Sequence, residues 1–451
     1  MLSLNSKCNR ILVAGILLLV TVSVPLVVVG CQNWLPFHTV IYKIGIVFLI
    51  VAGVAIVLSI IIFLLCHGII HGVKYCHRHY RLIKKLRRSL FDAGIYVTRY
   101  IGQEEIAVLP KIKVKFGDNL MTGEVQIQRR LKDRKRIEDY DISSALDCYI
   151  VEQSYISQDG NSYLYDIFDS SYDRQLVFEN CAEFTAALEG LDDYSLLVDS
   201  VTTIPLHHSL ISGQTGSGKS FFVQELIWEI LSKKIPYTLY ICDPKQSELY
   251  QISNRIAPER TADTVDSIIE LLRSFHAELE KRMEKMKELL STSSRVGVDY
   301  RDFNLAPMVL IFEEFLAFNL ALSKCDKKTR DEVDSILSTT ALTGRACGVF
   351  LWIIAQSTNA TNIPTFLRDQ TVFRAVMGNS DSSAYLALDS SADVPAMKFD
   401  TIGYGVYTYS GMTSKPKIFA APMIKNFDIL AELDKGVLKP SPSCKDGEGT
   451  P

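Results

Sequence analysis

No two of the ten cysteines, at positions 8, 31, 66, 76, 148, 181, 242, 325, 347 and 444, form a C-x-x-C pair. That scatter excludes the usual zinc spacings and a disulfide framework, and it fits a reducing compartment. Basic charge is not in excess either: 48 Lys and Arg stand against 51 Asp and Glu, a formal net charge of −3. The molecule as a whole is therefore not a basic nucleic-acid coat. No internal repeat stands out in the 451 residues, which leaves room for two or three domains at about 150 residues each.

Charge is missing altogether from two N-terminal stretches. Residues 11–30, ILVAGILLLVTVSVPLVVVG, hold none across 20 positions, and residues 44–66, IGIVFLIVAGVAIVLSIIIFLLC, hold none across 23. As helices, each is long enough to cross a hydrocarbon core of roughly 30 Å. Pro25 would kink the first, which membrane helices tolerate. Lys7 and Arg10 precede the first stretch and only Lys43 lies between the two. Lys74, Arg78, Arg81, Lys84, Lys85, Arg87 and Arg88 follow the second. This asymmetry predicts a two-span anchor over residues 1–90, with both termini cytoplasmic and a short external loop around 31–43. The seven basic residues then fix topology and touch anionic headgroups, with a DNA contact as their alternative reading. The alternative is a cleaved signal peptide, with VVVGC at 27–31 resembling a lipoprotein cleavage box and Cys31 as acceptor. The first stretch is long for a signal core.

Residues 91–199 read as a small accessory domain, α/β or mostly β, on the short β-branched runs IAVLPKIKVKF, GEVQIQRR and LDCYIVEQSYI. Within it RRLKDRKR, at 129–136, reads as a solvated face or as a contact for nucleic acid or a partner.

SLISGQTGSGKSFFVQELIWEIL, at 209–231, holds the strongest signal in the chain. Gly213, Gln214, Thr215, Gly216, Ser217, Gly218, Lys219 and Ser220 match G-x-x-x-x-G-K-[ST] in full, with an apolar strand before and an amphipathic helical stretch after. The glycines let backbone N–H groups curl around phosphate oxygens, and the helix N-terminus adds its positive end. Lys219 would reach the β- and γ-phosphates of ATP, and Ser220 would ligate Mg²⁺. Such a loop needs an acid at the end of a second buried strand. PMVLIFEEFLAF, at 307–318, supplies two, Glu313 and Glu314. Alternation along a strand sends them to opposite sides, Glu313 to hold Mg²⁺ through water and Glu314 to act as the base for attacking water. A third apolar run, GVFLWIIAQST at 348–358, ends in Gln356, either a γ-phosphate sensor or a plain loop residue.

Further apolar runs at 237–243, 371–377 and 404–410 alternate with helical stretches that include 265–291 and 328–343. That order predicts a mainly parallel sheet with helices on both faces and a ligand at the strands' carboxyl ends. Residues 436–451, rich in Pro and Gly, read as a disordered tail.

Together LHHSLISGQTGSGKS, DPKQSEL (243–249), ELEKRMEKM (278–286), LIFEEF, GRACGVFLWIIAQS and TNIPTFLRDQTVFRAVMGNSDSS resemble the FtsK/SpoIIIE family of ring-forming DNA translocases, over roughly residues 200–430. The resemblance implies a RecA-like motor domain at 200–435 in which Lys219 and Ser220 bind Mg-ATP, Glu314 is the base and Gln356 the sensor. Arg345, Arg368 or Arg374 would serve as a finger to a neighbouring subunit's ATP, in a closed ring such as a hexamer. The family has Asp then Glu at the strand end, where this chain has Glu313. Two spans, a small middle domain and a motor without a C-terminal winged helix are similar to the coupling ATPases of Gram-positive conjugative transposons. That likeness implies a bacterial cell membrane, single- or double-stranded DNA, a relaxase–DNA complex and conjugation channel proteins as surroundings. Two other readings stay open: a protein-secretion ATPase of the same superfamily, or a weakly hydrolysing nucleotide-binding scaffold of the channel.

Overall fold

The computed structural model describes residues 2–3, 21, 24–25, 27–28, 38–101, 103–117, 119–133, 135, 137, 140–356, 363–379, 388, 398–425 and 427–435. The chain divides into two compact units, Met1–Tyr172 and Asp173–Pro451.

In the first unit, helix α1 (His38–Cys66) is charge-free from Ile44 onward. Its segment Tyr42–Cys66 is, among the described residues, the one helix long and apolar enough to cross a membrane. The other expected span, 11–30, falls outside the described residues except at 21, 24–25 and 27–28, so a two-helix anchor is not established. Helix α2 (Val73–Asp92) has a clean 3.6-residue pattern: Cys76, His79, Leu82, Ile83, Leu86 and Leu90 are buried, and the basic residues lie between them. Its buried face packs on the four-stranded antiparallel sheet β3-β4-β6-β5. These strands are β3 (Ile112–Phe116), β4 (Thr122–Gln128), β5 (Tyr149–Ile156) and β6 (Ser162–Asp169). Strands β1 (Val97–Ile101) and β2 (Glu104–Val108) are antiparallel neighbours in a separate sheet, with Leu2–Ser3 parallel to β2. Part of the basic stretch expected at the membrane is taken up here. Arg78 pairs with the buried Asp169, and Arg81 and Lys85 both pair with Asp147.

The second unit begins well before residue 200. Helix α3 (Cys181–Leu188) and the hairpin β7 (Ser195–Asp199) and β8 (Thr202–Pro205) share its hydrophobic core. Behind them lies a mixed eight-stranded sheet in the order β11-β10-β12-β13-β9-β14-β15-β16. Its strands are β9 (Ser209–Gly213), β10 (Thr238–Cys242), β11 (Thr261–Ala262), β12 (Met308–Phe312), β13 (Val349–Ala355), β14 (Phe373–Met377), β15 (Tyr404–Tyr409) and β16 (Lys417–Ala420). The first six in that order are parallel, and β15 and β16 are antiparallel additions at one edge. Every residue of MVLIF in β12 and VFLWIIA in β13 is buried. Strands read as continuous apolar runs when helices cover both faces of a sheet.

The helices carry their own start and stop signals. Helix α4 (Lys219–Leu231) follows β9, and α5 (Glu248–Ile256) is capped by Ser247. Helix α6 (Val265–Thr292) opens with a capping box between Thr264 and Ser267. Helix α7 (Phe315–Leu322) follows β12 directly. Helix α8 (Lys327–Cys347) is capped by Asp326, whose carboxylate accepts from Thr329 N at 2.9 Å, and stops at Gly348 with φ 72°. Helix α9 (Thr365–Gln370) precedes β14, and α10 (Ile429–Asp434) comes last.

Helix α4 departs from the amphipathic helix expected after the glycine-rich loop, because it is buried from Phe222 to Ile230. Residues preceding the loop supply the cover: Trp228 Nε1 donates to Thr185 Oγ1 at 3.0 Å, and Leu197 N donates to Glu229. Burial pushes the Glu229 carboxyl up to about 7, with Lys233 pulling the other way.

Candidate nucleotide site

Strand β9 ends at Gly213, and the chain turns at once into α4 through Gln214–Gly218. The turn depends on two glycines: Gly216 (φ 85°) and Gly218 (φ 92°) stand in the left-handed region that side chains avoid. Ser217 N donates back to Gln214 O at 3.1 Å, closing the curl. Around it lies a cavity of about 430 Å³, lined by seven of the eight expected loop residues, together with Lys245, Glu313, Glu314, Gln356 and Ile402. Ser217 is the eighth; it is buried and does not line the cavity.

Sheet order explains how distant residues meet. Strand β13 lies between β12 and β9, so the ends carrying Glu313, Gln356 and Gly213 stand side by side. Neighbouring strands are about 4.8 Å apart, which brings β12 within about 10 Å of the loop strand. Lys219 Nζ is 3.4 Å from Glu313 Oε1. Burial raises the Glu313 carboxyl above the ordinary glutamate range. The Lys219 charge opposes that shift, and Asp243 and Glu314 add to it.

The two glutamates do not point to opposite sides of a strand. Strand β12 stops at Phe312, while Glu313 N still donates to Cys242 O at 2.8 Å. Glu314 then adopts φ 48°, ψ 55° at the start of α7. This left-handed residue brings the second carboxylate to the cavity that the first one lines. Glu314 is 5% exposed, and its Oε2 lies 3.3 Å from Lys245 Nζ. Each acid therefore has its own lysine.

Lys245 received no role from the sequence. The wholly buried Asp243 places it: Asp243 accepts from Lys245 N at 3.1 Å, Ser247 N at 2.8 Å and Ser247 Oγ at 2.6 Å. The carboxylate folds the turn after β10 so that Lys245 faces the cavity. A signal was present, since YTLYICD ends in an acid just as LIFEE does. Among the described residues no three His, Cys, Asp or Glu side chains cluster as a protein-only metal cage. Ser220 and Glu313 are hard oxygen donors of the kind Mg²⁺ takes alongside substrate phosphates, so the donor set fits.

Three arginines named as finger candidates lie elsewhere. Arg345 is in the last turn of α8, before β13 begins, and Arg374 lies near the start of β14. Parallel strands of this length span about 17–23 Å, so both sit toward the end of the sheet opposite their own loop. Arg374 donates to Thr371 O at 3.0 Å and Leu388 O at 3.1 Å. Arg368 is in α9. Arg345 is exposed and lines a second cavity of about 240 Å³ with His207 and Tyr300.

The chain is similar to known proteins in three comparisons. A FtsK domain-containing protein of Bacillus subtilis (strain 168), YdcQ, is 25% identical over 233 residues, covering 52% of this chain and 47% of that protein. Transfer protein TraSA of Streptomyces ambofaciens is 29% identical over 204 residues, covering 41% of this chain and 47% of that protein. The matched part is thus about half the length of each relative. The solved structure of the pCW3 conjugation coupling protein TcpA, monomer form with ATPγS, is 18% identical, covering 79% of this chain and 99% of that one, with a TM-score of 0.47. Residues 189–303, from before the glycine-rich loop to just short of β12, match the FtsK/SpoIIIE family model.

Proposed function

We propose that this protein is an ATP-driven DNA translocase, a coupling ATPase that delivers the DNA of a conjugative element to a membrane channel. The observation that carries the ATPase half is the single cavity in which Lys219, Glu313, Glu314 and Gln356 converge. The family match and the transfer-protein relative support the DNA half. Helix α1, with the stretch 11–30 as a second span, anchors the motor in a bacterial cell membrane, its ATPase unit in the cytoplasm.

In this reading the loop N–H groups and Lys219 hold the phosphates of ATP. Ser220 and Glu313 would hold Mg²⁺, which when bound neutralises phosphate charge. Glu314 orients and deprotonates the attacking water, and Lys245 fixes its carboxylate. Gln356, at the end of the strand between them, contacts the γ-phosphate or that water. Arg345 reaches a neighbouring subunit's ATP, because its own loop lies at the other end of the sheet. A head-to-tail ring, as in a hexamer, is the closed form of such an interface. A relaxase–DNA complex and conjugation channel proteins are the partners this role requires.

ATP hydrolysis by the full chain in detergent, with and without single- and double-stranded DNA, tests the proposal beside Lys219→Ala. DNA-stimulated turnover that the substitution abolishes supports it. Turnover that DNA leaves unchanged removes the translocase half and turns attention to protein substrates.

A further inference from the structure

The second unit opens with Asp173, Arg174 and Gln175, and all three side chains grip one region. Tyr404 OH donates to Asp173 Oδ1 at 2.5 Å, and Arg174 Nη1 donates to Ile418 O at 3.0 Å. Gln175, 8% exposed, donates from Nε2 to Ile402 O and to Ala421 O, each at 3.0 Å. Its amide thereby joins two strand ends, the start of β15 and the end of β16.

The segment it holds lies directly on the glycine-rich loop. Gly403 N donates to Ser217 O at 3.1 Å, and Gly378 N donates to Tyr404 O at 2.8 Å. Ile402 lines the nucleotide cavity. There is no spare room in this stack. A Cβ at Gly218 would stand 3.0 Å from both Gly403 N and Ile402 Cγ2, and a Cβ at Gly403 would stand 2.6 Å from Gln175 Nε2. Gly403 also has φ 93°, so glycine is required there on two counts. Contact runs unbroken from the Gln175 amide through residues 402–403 to Ser217 and Gly218.

We propose that Gln175 is a positioning residue for the nucleotide site: it holds Ile402–Gly403 against the loop, so that the Gly218–Lys219 turn keeps its phosphate-binding shape. The proposal rests on the reading that the cavity takes ATP. Gln175 is three residues past the first unit in sequence, so nucleotide affinity is coupled to the segment that links the units. Such coupling is reciprocal: whatever loosens the segment weakens nucleotide, and nucleotide tightens the segment.

The test compares Gln175→Ala and Gln175→Glu with the wild-type full chain. Alanine removes both donated bonds, and glutamate keeps the shape while setting an acceptor against two carbonyls. Both should raise the ATPγS Kd and the KM for ATP about 5- to 50-fold, the worth of two hydrogen bonds, with kcat within about twofold. Thr185→Val serves as the structural control. It removes the bond to Trp228 on α4 away from the cavity, and should lower the Tm while leaving Kd unchanged. Gln175 variants within twofold of wild type in Kd, or a Thr185 variant that weakens ATPγS as much, overturn the proposal. Wild-type chain that binds no ATPγS overturns the nucleotide reading beneath it. Should the Gln175 variants fail to fold, hydrogen exchange on wild type decides. ATPγS should slow the amides of Gln175 and Gly403, and unchanged rates at both overturn the proposal.

Discussion

Lys219 and Glu313 stand 3.4 Å apart, joining the glycine-rich loop to the end of a strand 94 positions later in sequence. Neither group is well solvated, and each offsets the other's cost of burial. The first consequence concerns Lys219→Ala. It would remove the phosphate contact proposed for this lysine and leave Glu313 without its cation, which raises the carboxyl further. We expect ATPγS affinity to fall at least about tenfold, the scale of a charge-assisted bond. Titration calorimetry reads the loss, and circular dichroism should show the fold intact.

Glu314→Gln separates binding from chemistry. The amide fits the same space and the same left-handed backbone but cannot take a proton. Turnover should fall about 10²- to 10⁴-fold, the range for a removed general base, while nucleotide Kd stays within a few-fold. A turnover that survives the change assigns the base elsewhere.

Glu313→Asp probes the departure from the family's Asp-Glu pair. For a working motor, turnover should change less than about threefold, because the longer side chain already reaches Lys219 and the cavity. A gain of tenfold or more would instead support a scaffold that hydrolyses weakly by construction.

The pH dependence of stability has two opposing parts. His208 accepts from Leu351 N at 3.0 Å, and burial lowers its pKa from 6.5 to about 3. His207 is lowered to about 4, by burial first and then by Arg345 and Arg301. The unfolded chain therefore takes up these protons first, and their contribution weakens the fold as pH falls below 6.5. Glu229, raised to about 7 by burial, acts the other way: the folded state keeps its proton, so stability declines as pH rises from 4.5 to about 7. The net slope is thus a poor readout, and the difference between variants is a good one. His208→Asn, which retains an acceptor for Leu351 N–H, should lose less Tm than wild type between pH 6.5 and 4.5. Equal losses in both proteins would show that His208 does not supply the acid slope.

Much of this site was legible because its parts are local. The loop motif needs only eight consecutive residues, and the phosphate binding proposed for it follows from backbone N–H groups and one lysine. The runs MVLIF and VFLWIIA announced buried parallel strands by having no polar face to show. The relation between Glu313 and Glu314 was not legible, because strand alternation holds only as far as the strand does. Where β12 stops and Glu314 turns left-handed, Phe312, Phe315 and Phe318 pack with ring centroids 5.0–6.5 Å apart, a tertiary contact that no local pattern announces. Lys245 was hidden for a similar reason: a buried Asp243 aims it, and nothing in DPKQSEL says which way that turn folds.

The sequence by itself determined the glycine-rich loop, the acids and glutamine at strand ends, and an apolar N-terminal region. Each is a matter of residue type at short spacing, where covalent geometry does the arranging. Only the tertiary structure decided that β13 lies between β12 and β9, and that both glutamates face one cavity with a lysine each. It also decided that Arg345 stands toward the far end of the sheet and that Gln175 reaches residues 402 and 421. Those relations span tens to hundreds of positions, and strand order and core packing, which no local pattern encodes, bring them together.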